Sequence, residues 1–305
     1  MDHLDTGTTG SRRAGNPLVE GWYADPEARI FEGHYWIYPT YSAPYEQQTF
    51  LDAFWSADLL EWHKVERILD IKQISWAEKA LWAPSTIEVD GRYYLYFCAN
   101  DIQSDAELGG IGVAVAERPE GPFRDALGHP LIDRFHHGAQ PIDPHVFMDD
   151  EGQAYLYYGG WGHCNVVKLN ADMVSLGSFD DGEIFKSITP QGYVEGPCMF
   201  KRGGEYYFMW AEGGWGNPDY SVAYARSSSP LGPFSRIGKI LEQHPEIATS
   251  AGHHGVFVPD QENGRWWIVY HRRPLGETNR HHRVLAMDQL VFDQQTGNLL
   301  PVQMT

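Results

Sequence analysis

Three carboxylates and a histidine stand directly ahead of short apolar strands in this sequence. Asp25 opens DPEARI, Asp143 opens DPHVFM, Glu195 opens EGPCMF and His253 opens HHGVFV, while Ala83 of APSTIE takes the corresponding place in a fifth segment. Acidic residues also cap turns before strands, and any one of these could do only that. Three in matching places suggest convergence on one point. Like charges brought together raise each other's proton affinity, an arrangement that is costly unless it does work. Two carboxyl groups beside aromatic walls meet the needs of glycosidic hydrolysis. One, protonated, donates to the leaving oxygen, and the other activates water or attacks the sugar. A separation of about 6.5–9.5 Å between them implies inversion and about 5 Å implies retention. Carboxylates on different elements across a channel favour the wider gap.

The elements that would hold them repeat. A glycine turn followed by an aromatic strand recurs about every 50 to 60 residues: GHYWIYPTYS from Gly33, GRYYLYFCAN from Gly91, GQAYLYYGGW from Gly152, GEYYFMWAEG from Gly204 and GRWWIVYHRR from Gly264. Each glycine follows Asp, Glu, Asn or Gly, the signature of a tight hairpin needing positive φ. A second short strand precedes each turn (ARIFE, TIEV, HVFM, CMFK and VFVP), and a third apolar run follows within each unit. Five units of three to four strands, with almost no helical periodicity, predict an all-β, five-bladed β-propeller, whose radial packing protects the sheet edges. In such a fold the innermost strands begin around one mouth of a central channel, where the slot residues would meet. Residues 1–15 read as a polar tail and 16–305 as a single propeller domain.

Composition sets the outer bounds. With 23 basic against 41 acidic residues the net charge is −18, a field that repels phosphate backbones and argues against nucleic acid. No run approaches 18 apolar residues, so no membrane-spanning helix is expected. Cys98, Cys164 and Cys198 are far apart and odd in number, which fits buried thiols rather than a disulfide framework or a zinc site. The first residues lack the apolar core of a secretory signal, pointing to the cytoplasm unless a leader has been removed.

The chain resembles glycoside hydrolase family 43, five-bladed propellers that include arabinofuranosidases, xylosidases and arabinanases. The resemblance rests on YADPE at 23–27, WAPS at 82–85, PIDPHVF at 141–147, YVEGP at 193–197 and GHHGVF at 252–257, one motif per blade in this order. It implies that Asp25 is the general base, Glu195 the general acid and Asp143 a third carboxylate that tunes and orients the acid, with inversion of configuration. It also implies that Arg283 lies near the substrate and the third carboxylate. His253 resembles a histidine that contacts a channel calcium largely through water. Calcium prefers oxygen ligands, so a neutral histidine hydrogen-bonded to a carboxylate is the plain alternative. No cofactor is otherwise implied. His145 and His254 read as polar channel or core residues.

Trp22, Trp82, Trp161 and Trp215 lie near the ends of innermost strands or in the loops that follow them. Flat rings there would stack on sugar faces, although most propeller tryptophans pack between blades. Trp36, Trp266 and Trp267 follow the strand pattern and read as core. The resemblance implies an exo-acting enzyme removing terminal α-L-arabinofuranosyl or β-D-xylosyl units from arabinose- or xylose-containing oligosaccharides. Histidine after IDP, and too few residues after the last blade for the extra β-sandwich of many xylosidases, favour arabinofuranosyl. An endo-arabinanase and a non-catalytic carbohydrate-binding propeller are the alternatives, and the latter would be expected to lack one of the carboxylates.

Overall fold

The computed structural model describes residues 15–259 and 264–305. Five antiparallel sheets follow one another along the chain. Blade 1 holds β1 (Tyr23–Phe31), β2 (His34–Tyr41), β3 (Phe50–Ser56) and β4 (His63–Asp70). Blade 2 holds β5 (Trp82–Val89), β6 (Arg92–Ala99), β7 (Gly110–Ala116) and the two-residue β8 (Arg124–Asp125). Blade 3 is built from β9 (His145–Met148), β10 (Ala154–Tyr158) and β11 (Asn165–Leu169), with the short β12 (Leu176–Gly177) and β13 (Lys186–Ser187) at its edge. Blade 4 holds β14 (Glu195–Arg202), β15 (Glu205–Glu212), β16 (Ser221–Ser227) and β17 (Ser235–Leu241), and blade 5 holds β18 (Ala248–Phe257), β19 (Trp266–Pro274) and β20 (Val284–Leu290). This is the five-bladed β-propeller expected from the repeat. Among the described residues no helix is long and apolar enough to cross a membrane.

The inner hairpins turn as their sequences require. Glu32-Gly33 and Asp90-Gly91 both take positive φ at two successive residues (51° and 74°, 52° and 73°), as does Gly203-Gly204 (59° and 81°). That backbone matches the twist of the flanking strands. The fifth turn and the polar tail at 1–14 lie outside the described residues.

Side chains alternate between the two faces of each strand, and each face serves a different neighbour. Tyr93, Leu95 and Phe97 of β6 pack with Trp36 and Tyr38 of blade 1. Tyr94, Tyr96 and Cys98 of the same strand pack with Val146 and Leu156 of blade 3. Similar apolar layers lie between blades 3 and 4, 4 and 5, and 5 and 1, so the core is five wedges rather than one centre. The three cysteines are buried free thiols, and Trp36 and Trp266 are buried while Trp267 is half-buried.

The ring is closed by residues 16–23 lying along β20. The Leu18 amide donates to the Leu285 carbonyl (2.9 Å) and the Tyr23 amide to the Arg283 carbonyl (2.8 Å). The Asn16 side chain accepts from the Met287 amide (2.8 Å) and donates to its carbonyl (3.2 Å). The outer edge of blade 5 is thereby paired by the segment leading into blade 1, which removes an open edge.

Candidate active site

The inner strands enter the channel through a shared irregularity. Pairing slips between Ala24 and Glu27, between Trp82 and Ser85, between Glu195 and Cys198, and between Gly252 and His254. The inserted residue takes positive φ in each blade: Asp25 (48°), Ala83 (43°), Gly196 (62°) and His253 (34°), with Asp143 (54°) doing the same just before β9. Proline follows four of the five, where a missing amide donor is tolerated at a bulge. A non-glycine residue in this conformation costs on the order of 1–3 kcal/mol, and such strain clusters where side chains are aimed for function.

The bulges correct one part of the sequence alignment. Glu195 does not share the slot of Asp25, Asp143 and His253, because Gly196 occupies it. Glu195 stands one residue earlier, level with Ala24, Trp82, Ile142 and Gly252. An inserted residue breaks the two-residue period, so aligning on the apolar residues beyond it hides the offset. Gly196 is constrained for a second reason, since a Cβ there would lie 3.1 Å from the His253 ring.

The three carboxyl groups nevertheless line one cavity of about 310 Å³ at one mouth of the channel, with Trp82, Trp161, Trp215, His253 and Arg283 also in its wall. Their surroundings differ. Asp25 Oδ1 lies 3.3 Å from an Arg283 nitrogen and 3.4 Å from His253 Nδ1. The Asp25 amide donates to His271 Nδ1 (3.1 Å), so that ring nitrogen carries a lone pair. Burial would raise the Asp25 pKa, but the Arg283 guanidinium, followed by His253, outweighs it and holds the group well below the usual carboxylate range.

Asp143 accepts from the Gly196 amide (3.1 Å) and lies 3.6 Å from His253 Nδ1. Burial, followed by the charges of Glu195 and Asp25, pushes its proton affinity up. Glu195 accepts a hydrogen bond from the Tyr220 hydroxyl at Oε1 (2.8 Å). Burial raises its pKa to about 7, with the Tyr220 hydrogen bond and Arg283 opposing and Asp25 adding to the rise. Asp143 and Glu195 titrate as a pair, and together they retain a proton near neutrality. One carboxylate held ionised and another held protonated in the same cavity is the division of labour that acid–base hydrolysis needs.

The sequence matches Glycosyl hydrolases family 43 over residues 14–296. The chain belongs to glycoside hydrolase family 43. It is 47% identical to the β-D-galactofuranosidase xynD of Aspergillus niger over 98% of this chain and 87% of that protein. It is 30% identical to xylosidase/arabinosidase 43A of Humicola insolens over 91% of this chain and 96% of that one. The GH43_1 enzyme from Xanthomonas citri, solved with xylotriose, superposes with a TM-score of 0.78 at 26% identity, covering 95% of this chain and 94% of that one.

Within this glycoside hydrolase the remaining expected residues fall as follows. Trp82 shares the slot of Glu195, donates its indole N–H to Gln48 Oε1 and meets the Tyr45 ring edge-on at 4.7 Å. Trp215 faces two guanidinium groups, Arg280 at 4.7 Å and Arg283 at 4.9 Å from its ring centre. Trp161 is 52% exposed at the rim, beside Phe135. Trp22 is placed elsewhere: it stacks on His282 at 4.4 Å and lines a separate surface depression with Leu18 and Trp62. It stands three residues ahead of the inserted Asp25 and is not in the cavity wall. Arg283 lies in the cavity wall with Asp143, whose charge it opposes. Its guanidinium donates to Asp25 Oδ1 (3.3 Å) and to Ser42 Oγ (2.9 Å), so its direct carboxylate contact is with Asp25.

Among the described residues no group of three or more His, Cys, Asp or Glu side chains is arranged to hold a metal. His253 offers nitrogen to a cation that prefers oxygen, and its Nδ1 already faces Asp25 and Asp143. His145 Nε2 bonds the Met199 carbonyl (3.0 Å), while both ring nitrogens of buried His254 have no hydrogen-bond partner among the described residues. Sequence reasoning missed Tyr220, His271, Gln48, Asp101 and Gln140. Tyr220 and His271 come from outer strand starts and second-strand ends that read as scaffold, and the other three sit in loops with no repeated signal.

Proposed function

We propose that the chain is an inverting, exo-acting furanosidase that removes terminal β-D-galactofuranosyl and α-L-arabinofuranosyl units, with β-D-xylosyl as a weaker substrate. Asp25 takes a proton from water as that water attacks the anomeric carbon. Glu195 gives its proton to the departing glycosidic oxygen, and Asp143 keeps that proton available by its neighbouring charge. The observation that carries the reaction class is one cavity in which Asp25 faces Arg283 and His253 while Glu195 faces only the Tyr220 hydroxyl at hydrogen-bond distance. The small cavity, near the lower end of the size range for ligand sites, supports removal of single terminal units. The sugar preference follows from the relative at 47% identity. β-D-Galactofuranose has the ring stereochemistry of α-L-arabinofuranose with one added hydroxymethyl group on C5, so one site accepts both when there is space beyond C5. The xylosyl activity rests on the relative at 30% identity, whose name pairs xylosidase with arabinosidase.

The test is a panel of 4-nitrophenyl β-D-galactofuranoside, α-L-arabinofuranoside and β-D-xylopyranoside, with Glu195→Ala as control. The furanosides are expected to turn over at least tenfold faster in kcat/KM than the xyloside. Wild type no faster than the variant on all three would end the hydrolase reading, and a leading xyloside would reverse the preference. Proton NMR of the first sugar released distinguishes inversion from retention. Retention would make Asp25 a nucleophile.

A further inference from the structure

Tyr220 does not line the cavity, yet it reaches the catalytic acid. It lies just ahead of β16, fully buried, with its hydroxyl 2.8 Å from Glu195 Oε1. Two contacts fix the ring. One face stacks on His271 (centres 5.5 Å apart, planes 15° apart), the ring whose Nδ1 accepts from the Asp25 amide. The ring also fills the space where a side chain at position 252 would go: a Cβ on Gly252 would stand 2.3 Å from Tyr220 Cδ1. Gly252 is level with Glu195 in the next blade, so the glycine makes room for the tyrosine that meets the acid.

We propose that Tyr220 is a positioning residue that holds Oε1 of Glu195 and leaves Oε2 to carry the catalytic proton. This rests on the reading of Glu195 as the general acid. A phenol buried this deeply keeps its own proton, as burial pushes its pKa well above the usual value, and so it donates to Oε1. The remaining proton of the carboxyl group then sits on Oε2. As the bond from C1 to the glycosidic oxygen breaks, its electron pair stays with that oxygen, which takes the Oε2 proton. Water adds to C1 and loses a proton to Asp25. Glu195 becomes a carboxylate during this step, and a hydrogen bond to a charged acceptor is stronger than one to a neutral acceptor. The Tyr220 bond therefore tightens toward the transition state, which accelerates the reaction rather than merely binding substrate. The groups facing Glu195 besides Tyr220 are Asp25 and Asp143 from blades 1 and 3, Arg283 ahead of β20 and the Tyr45 hydroxyl.

The experiment compares wild type, Tyr220→Phe and Glu195→Gln on two α-L-arabinofuranosides, one with a 2,4-dinitrophenyl and one with a methyl leaving group, across a pH series. The dinitrophenyl group leaves without a proton, whereas the methyl group requires one. Tyr220→Phe is expected to lower kcat on the methyl glycoside on the order of tenfold, with KM little changed and the dinitrophenyl rate nearly intact. Its basic limb should move to higher pH by about half a unit or more, because the carboxylate loses a donor. An equal loss on both substrates with an unmoved limb would make Tyr220 structural only and overturn the proposal, as would no loss. If Glu195→Gln shows the leaving-group split and Tyr220→Phe does not, the tyrosine proposal alone fails. If Glu195→Gln shows no split, Glu195 is not the acid and both readings fail together.

Discussion

Asp25 and Glu195 sit in the same cavity, each partly buried, yet their surroundings drive their protons in opposite directions. Around Asp25 are a guanidinium group and two imidazoles. Around Glu195 are a neutral phenol and another carboxylate, with Arg283 at longer range. Burial is common to both, so it cannot be what separates them. The separation comes from partner chemistry: Arg283 is committed to Asp25, and no cation is committed to Glu195. A fold that merely buried three acids would protonate all of them near neutrality. Here Arg283 is paired with Asp25.

The largest effect that tests this contrast is the pair Asp25→Asn and Glu195→Gln. The first should remove on the order of 10³-fold or more from kcat with every leaving group, since no other group activates the water. The second should cost that much only where the aglycone needs a proton. Equal losses for both variants on a dinitrophenyl glycoside would erase the distinction between base and acid.

The pH profile sharpens it at intermediate scale. The wild-type rate should be bell-shaped, its acidic limb lying below the usual carboxylate range from Asp25 and its basic limb near 7 from Glu195. Arg283→Met removes the cation that keeps Asp25 ionised, so the acidic limb should rise by about a unit or more. Asp143→Asn leaves Glu195 to titrate without the partner that shares its proton, so the last proton is lost against less charge and the basic limb should fall. Limbs that stay in place in these variants would detach the two shifts from the partners named here.

The smallest expected effect is on stability. Gly196→Ala puts a side chain at φ +62° and 3.1 Å from His253. It should cost about 1–3 kcal/mol, read as a lower urea midpoint with unchanged slope. An unchanged midpoint would mean that the bulge in blade 4 tolerates the side chains its counterparts carry.

Much of this was legible in the sequence because propeller blades are local. Hairpin turns such as Asp90-Gly91 and the aromatic strands after them announce themselves within a dozen residues. The three carboxylates were visible because each stands at the same end of an inner strand. What stayed hidden depends on geometry that a two-residue period cannot express. The bulge that sets Glu195 one step ahead of Asp25 is one case. Others are the assignment of Arg283 to Asp25, and Tyr220 and His271, which approach from strands that otherwise look like scaffold. Trp22 shows the converse, a tryptophan near an inner strand whose ring faces His282 instead of the cavity.

The seam along β20 has a kinetic meaning. Each sheet can form from neighbouring hairpins, but the contact of Arg283 with Asp25 joins residues 258 apart in sequence, and the Tyr23 amide bond to the Arg283 carbonyl lies beside it. Bringing such distant partners together is entropically the slowest kind of step, and contacts of this separation form late. Four blades could therefore be in place while the base still lacked its arginine. On refolding, recovery of hydrolysis should lag behind recovery of strand signal, because the chain becomes a catalyst only when its two distant segments meet.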